Sequence, residues 1–122
     1  MSWRGKIVEK IKSLTKKIIN FRNLRNWKQF HNPKDVSLSL VLEAAELMEH
    51  FQWKSSDEVA SYVKAHKVDI ADELADVLYW VLLLSHDLSI DLPKALDLKL
   101  RKNSLKYPVK KSKGKHTKYN NL

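Results

Sequence analysis

Cysteine is absent from the 122 residues. Its absence removes disulfides, thiolate nucleophiles and Cys-based zinc sites, and leaves the redox compartment undetermined. Glycine occurs only at Gly5 and Gly114. Phosphate loops and dinucleotide fingerprints need several glycines where the backbone approaches phosphate, so a P-loop or Rossmann site is excluded. Proline is nearly as scarce, with three residues, and a chain short of both breakers favours helices. The longest apolar run, residues 77–84, is far shorter than the roughly 20 residues of a membrane span. Residues 1–10 carry a charge every few positions and no apolar block, unlike a secretory signal. No membrane partner is expected, and the expected location is cytoplasmic.

A hydrophobic share of 43% with 30% charged residues is that of a soluble globular chain rather than a disordered one. The length fits one small domain, which we place at residues 1–108, followed by a basic tail at 109–122 that is expected to be flexible. The net charge of +9 is unevenly spread: residues 1–98 balance 14 basic against 14 acidic side chains, whereas residues 99–122 hold nine basic ones and no acid. Within the neutral part, residues 43–97 concentrate twelve carboxylates against four lysines. An acidic centre and a basic end are both partners that phosphate chemistry can use, the first through a metal ion and the second directly.

Ile7, Ile11, Leu14, Ile18 and Phe21 recur at steps of three and four, which predicts a first helix over residues 6–28. His31-Asn32-Pro33 breaks it. A second helix is expected from Asp35 or Ser37, with Val41, Ala44, Ala45, Met48 and Phe51 on its apolar side, ending at residues 52–54. Ser55 and Glu58 have the spacing of a capping box. They open a short helix that passes, with a bend near His66, into a long one over residues 68–88. Asp91 and Pro93 start the last helix and Pro108 ends it. The expected class is all-α, an antiparallel four-helix bundle. Residues 77–84 are apolar on every side, more than a monomer of this size covers, so the long helix is expected at the centre of a dimer.

Glu43 and Glu46 are three apart on the second helix, and Glu73 and Asp76 are three apart on the long one. Each pair shares a helix face. Carboxylates beside Val41, Ala45 and Leu47 point toward the bundle, and buried like charges are costly unless a cation joins them. If the two pairs meet, Mg²⁺ or Mn²⁺ is the natural occupant, because hard divalent cations take oxygen ligands. Two independent sets of surface acids are the competing reading. A ferritin-like di-iron bundle requires Glu-x-x-His on two helices, and none of the five histidines has Glu three positions earlier.

Five ordered blocks carry a resemblance: Trp27-Lys28-Gln29-Phe30-His31, Glu43-Ala44-Ala45-Glu46-Leu47, Phe51-Gln52-Trp53, the stretch from Asp72 to Trp80, and residues 99–108. Together they resemble the MazG-like all-α nucleoside triphosphate pyrophosphohydrolases, and within them the dCTP pyrophosphatase-like branch. The resemblance implies a four-helix fold that forms a homodimer or homotetramer, and Mg²⁺-dependent cleavage of an NTP or dNTP to the monophosphate and pyrophosphate. It implies Glu43, Glu46, Glu73 and Asp76 as metal ligands. Trp27, His31, Trp53 and Trp80 would line the base and sugar site, and Lys99, Asn103 and Tyr107 would meet the phosphates. The chain departs from the pattern at Ala45, where the family has Gly, and at Leu105-Lys106, where it has an arginine pair before Tyr-Pro.

The residues themselves fit that chemistry. Attack on phosphorus needs its oxygens neutralised and a water made nucleophilic, and a metal-loaded carboxylate set can do both. Glu46 lies three residues from both Glu43 and Glu49, so it could bridge ions, with Glu49 as a further proton acceptor. Four tryptophans offer flat surfaces for a base, and Trp3 is the one least expected to touch substrate. Two other classes remain: a helical nucleic-acid-binding module using the Lys-rich end, which the carboxylates would hinder, and a dimerisation scaffold.

Overall fold

Capping side chains decide where most helices begin in this computed structural model, which describes residues 2–122. Ser2 accepts the Gly5 N–H at 3.0 Å and starts α1 (Trp3–Leu24), three residues before the apolar stripe predicts. The helix also stops earlier than expected. The amides of Arg25 and Trp27 both turn back to the Arg22 carbonyl, each at 3.2 Å, and Asn26 takes a positive φ of 52°. Asparagine tolerates that left-handed conformation better than most residues. A single 3₁₀ turn, Lys28–Phe30, carries the chain on.

Asn32 accepts the Asp35 N–H at 2.9 Å and caps α2 (Pro33–Glu49). Pro33, read in the sequence as a breaker, is the first helical residue, because the first turn has no use for the N–H that proline lacks. After α2 the chain turns through Trp53, also at positive φ. Ser55 accepts the Glu58 N–H at 3.3 Å and opens α3 (Ser56–Ala65). The expected bend at His66 is a full break, with His66 ending α3 and preceding α4 (Lys67–Asp87). Asp91 accepts the Lys94 N–H at 3.1 Å and opens α5 (Leu92–Lys106). Pro108 follows its cap Tyr107, and a single turn of helix, α6 (Val109–Ser112), and a 3₁₀ turn, Tyr119–Asn121, complete the chain. The described residues are helical with no strand, in agreement with the all-α class.

The chain forms two compact units, one up to Ser89 and one from Ile90 to Leu122. In the first, α2 packs along α4, and α1 and α3 also lie on α4. The long helix is therefore central, and its Leu82 and Leu83 are fully buried with Val36 of α2. Each such side chain contributes about 1.5–3 kcal/mol relative to exposure. Leu74 and Leu78 of the same helix face outward, together with Leu38, Val41, Leu42 and Met48 of α2. One ion pair ties the first unit across its helices: Arg22 of α1, only 1% exposed, donates through both terminal nitrogens to Asp87 at the end of α4, at 2.7 and 2.8 Å. In the second unit, Tyr119 meets Tyr107 edge to face at 6.0 Å, and the Lys106 ammonium lies 4.9 Å from the Tyr119 ring.

Candidate active site

Both carboxylate pairs lie one helical turn apart on elements that pack against each other, Glu43 and Glu46 on α2 and Glu73 and Asp76 on α4. The packing brings oxygens of Glu43, Glu73 and Asp76 all within 4.8 Å of one another. Glu43 and Glu73 are half-buried, whereas Asp76 and Glu46 are exposed. One oxygen of Glu43 and one of Glu73 are buried with no hydrogen-bond partner among the described residues. Burial pushes the Glu43 carboxyl above its ordinary value, and a hydrogen bond with Glu46 and the charge of Asp76 push it further. Glu73 is raised for the same reasons, burial first and Glu46 next, with an opposing contribution from His50. Glu46 thus acts on the carboxyls of both half-buried acids.

This arrangement fits a divalent cation. Its donors are all oxygens, two of them are shielded from water without a partner, and the negative charges crowd one another. A hard cation would satisfy the orphaned oxygens and relieve the repulsion together.

Beside the cluster is an open cleft of about 380 Å³ lined by Glu46, Glu49, His50, Tyr62 and Glu73. Glu49, expected from the sequence as a proton acceptor, lies here one turn beyond Glu46. Nδ1 of His50 and the Tyr62 hydroxyl share a proton across 2.7 Å. Tyr62 in turn stacks on His66 at 4.0 Å and receives the Lys54 ammonium over its ring at 4.3 Å. The sequence reading missed His50 and Tyr62. His50 had a signal, since it is four residues from Glu46 and shares its helix face. Tyr62 had none, because it arrives from α3.

Three of the four expected base-site aromatics belong to one linked group. His31 meets Trp80 edge-on at 5.4 Å, Trp80 meets Tyr79 at 5.0 Å, and Phe21 contacts both Tyr79 and Trp27, at 6.2 and 5.9 Å. Trp53 stands at the turn after α2, 92% exposed. Burial, then the charge of Arg22, lowers the pKa of His31, which keeps its imidazole neutral at pH 7. Burial likewise raises the Tyr79 phenol. Lys99 is exposed and Asn103 half-buried on α5, and the Tyr107 N–H closes that helix onto the Asn103 carbonyl at 2.8 Å. Trp3 is exposed on the first turn of α1.

The fold is shared with a pyrophosphatase from Archaeoglobus fulgidus whose crystal structure superposes with a TM-score of 0.76 at 38% identity, covering 80% of this chain and 91% of that one. The MazG-like family profile matches residues 38–122, which include Glu43, Glu46, Glu73 and Asp76. The chain belongs to the MazG-like family. It is also similar to dCTP pyrophosphatase 1 of Rattus norvegicus, 39% identical over 100 residues, and of Homo sapiens, 35% identical over 100 residues. These alignments cover 80% of the MazG-like chain and 59% of the length of those relatives. Trp27 and His31, and Arg22 with them, precede the residues that the family profile matches. No helix among the described residues is long and apolar enough to cross a membrane.

Proposed function

We propose that this chain is a Mg²⁺-dependent nucleoside triphosphate pyrophosphohydrolase that cleaves a (d)NTP, with dCTP or a modified dCTP favoured, in cleansing the nucleotide pool. One observation carries the reading: carboxylate oxygens from two packed helices gather within 4.8 Å, with two of the buried oxygens unpartnered among the described residues. The names of the relatives, a pyrophosphatase and dCTP pyrophosphatases, support the reaction and the base.

In this reading Glu43, Glu46, Glu73 and Asp76 hold Mg²⁺, with Mn²⁺ as an alternative. Bound there, the ion supplies positive charge to the phosphate oxygens and acidity to the attacking water. Glu46 and Glu49 face one cleft, and one of these two carboxylates accepts the single proton that this water loses. Water adds to phosphorus, the anhydride bond between the α and β phosphorus atoms breaks, and the products are a monophosphate and pyrophosphate. His31, Trp80 and Trp27 present ring faces and edges for the base, and neutral His31 does so without an added charge. Trp53 is assigned to the same role by its place in the sequence pattern. Lys99, Asn103 and Tyr107 are assigned to the phosphates, as a cation and two hydrogen-bonding side chains.

A second copy of the chain is proposed to cover the outward Leu38, Val41 and Leu42 of α2 and Leu74 and Leu78 of α4, giving a dimer or a dimer of dimers. The test of the function is a panel of NTPs and dNTPs with Mg²⁺, scoring pyrophosphate against orthophosphate. Pyrophosphate with the monophosphate is the expected product pair. Orthophosphate alone, or no turnover of any member, would overturn the proposal.

A further inference from the structure

The open cleft beside the carboxylates has walls of two kinds. Glu73 belongs to the cluster and Glu46 adjoins it, whereas His50 caps the C-terminus of α2 one turn beyond Glu46, and Tyr62 comes from α3. Nδ1 of His50 and the Tyr62 hydroxyl are 2.7 Å apart, and the His50 side chain makes no other hydrogen bond among the described residues. The Lys54 ammonium lies 4.3 Å from the centre of the Tyr62 ring. A positive charge there favours negative charge on the phenol oxygen, which makes the hydroxyl the better donor of the pair. With the hydroxyl donating, Nδ1 accepts and the hydrogen of the neutral imidazole sits on Nε2. His50 therefore offers the cleft one N–H donor, on a ring that the bond to Tyr62 holds in place.

The order of residues along α4 decides which part of a nucleotide reaches that donor. Trp80, Asp76 and Glu73 follow one another at steps of four and three residues, so Glu73 lies roughly 10 Å along the helix axis from Trp80. Trp80 belongs to the aromatic group with His31, Asp76 and Glu73 meet Glu43 in the cluster, and the cleft is lined by Glu73 but by none of those aromatics. A nucleotide with its base on Trp80 and its α phosphorus at the cluster sends its β and γ phosphates past Glu73 into the cleft, whose volume of about 380 Å³ is ample for them. The lining carboxylates repel a bare polyphosphate, so it enters with a divalent ion. Once their charge is neutralised, an N–H aimed at a phosphate oxygen adds to binding. We propose that His50 is a further substrate-binding residue, whose Nε2–H holds the diphosphate end of the nucleotide that leaves as pyrophosphate, and that Tyr62 positions it. This rests on the pyrophosphohydrolase reading.

The test uses two ligands that divide the substrate between them: pyrophosphate with Mg²⁺, followed by titration calorimetry, and dCMP with Mg²⁺, followed by tryptophan fluorescence. An asparagine amide reaches about as far as Nδ1 of histidine and a glutamine amide about as far as Nε2, so the two substitutions separate the roles of the ring nitrogens. His50→Asn keeps a partner for Tyr62 but loses the donor, and should weaken pyrophosphate about tenfold while leaving dCMP within about twofold. His50→Gln keeps the donor and should hold pyrophosphate within about threefold of wild type. Tyr62→Phe preserves the bulk of the ring and so the fold, and should weaken pyrophosphate about threefold by releasing His50, again without moving dCMP. A packing role would weaken both ligands alike, or make His50→Gln the more damaging change, and either result overturns the proposal. So does wild-type pyrophosphate affinity in Tyr62→Phe. If the wild type releases pyrophosphate from a dNTP and none of the variants binds pyrophosphate more weakly, the His50 assignment is wrong and the pyrophosphohydrolase reading stands. If the wild type neither turns over any dNTP nor binds pyrophosphate, both fall.

Discussion

Carboxylates that repel each other in a fold are held there by packing, and the residues that pack them are different from the residues that react. Glu43 and Glu73 are raised above their ordinary value of 4.5 mainly by burial, so the cluster opposes folding at neutral pH until a cation joins it. Glu46→Gln and Asp76→Asn should therefore lower turnover about a hundredfold or more and remove most of the rise in melting temperature that Mg²⁺ gives. Helical circular dichroism should stay unchanged; full activity in both variants would remove the metal assignment. Asp87 has the opposite sign. Its hydrogen bonds from Arg22 hold it below an ordinary value of 3.8. The stability it contributes is complete above that unfolded value and is lost as pH falls through the lower folded one. Asp87→Asn leaves Arg22 buried with no anion and should cost roughly 3 kcal/mol at pH 7. The gap between variant and wild type should narrow on acidification below about pH 4 in urea melts, and a constant gap would argue against the ion pair. The spacing of Glu43, Glu46, Glu73 and Asp76 was legible because a helical period puts residues three apart on one face. Arg22 and Asp87 went unread although each follows by four residues an apolar position turned inward, the half-buried Ile18 or the buried Leu83, where a charge implies a partner.

The elements were read best where a side chain caps them. Ser55, Asp91 and Asn32 each accept a backbone N–H three residues on, as the sequence suggested for the first two. Ser55→Ala should cost about 1 kcal/mol, measurable by denaturant melts, and a neutral result would mean that contacts with α4 alone hold α3. The start of α2 was misplaced because proline was treated only as a breaker, whereas at the first helical position it loses nothing. The end of α1 was overrun because the apolar stripe continues past the point where Asn26 turns left-handed. Periodicity reports which face is apolar, not where backbone hydrogen bonds stop. The segment from Trp27 to His31 consequently belongs to a short turn rather than to α1, and that turn joins His31 to Trp80.

For the molecule as a whole, the apolar character of residues 77–84 led to a dimer expectation, and the structure divides those residues by role. Leu82 and Leu83 fill the interior of the first unit, while Leu78, with Leu74 before it, lies outward. Light scattering or native mass should give a dimer or tetramer. Leu42→Glu should shift it toward monomer, because a charge on an apolar contact between copies must be desolvated without a partner. A strict monomer at micromolar concentration would count against the proposed covering.

The sequence by itself determined the all-helical class, the helix caps and the pairing of acids along each helix, since these depend on neighbours three and four residues away. The tertiary structure alone decided that acids from α2 and α4 meet, that Tyr62 reaches His50 across a helix boundary, and that Arg22 finds Asp87 across 65 residues. Local spacing specifies a face; which faces meet depends on how whole helices pack, and that follows from the combined burial of side chains distributed along the chain.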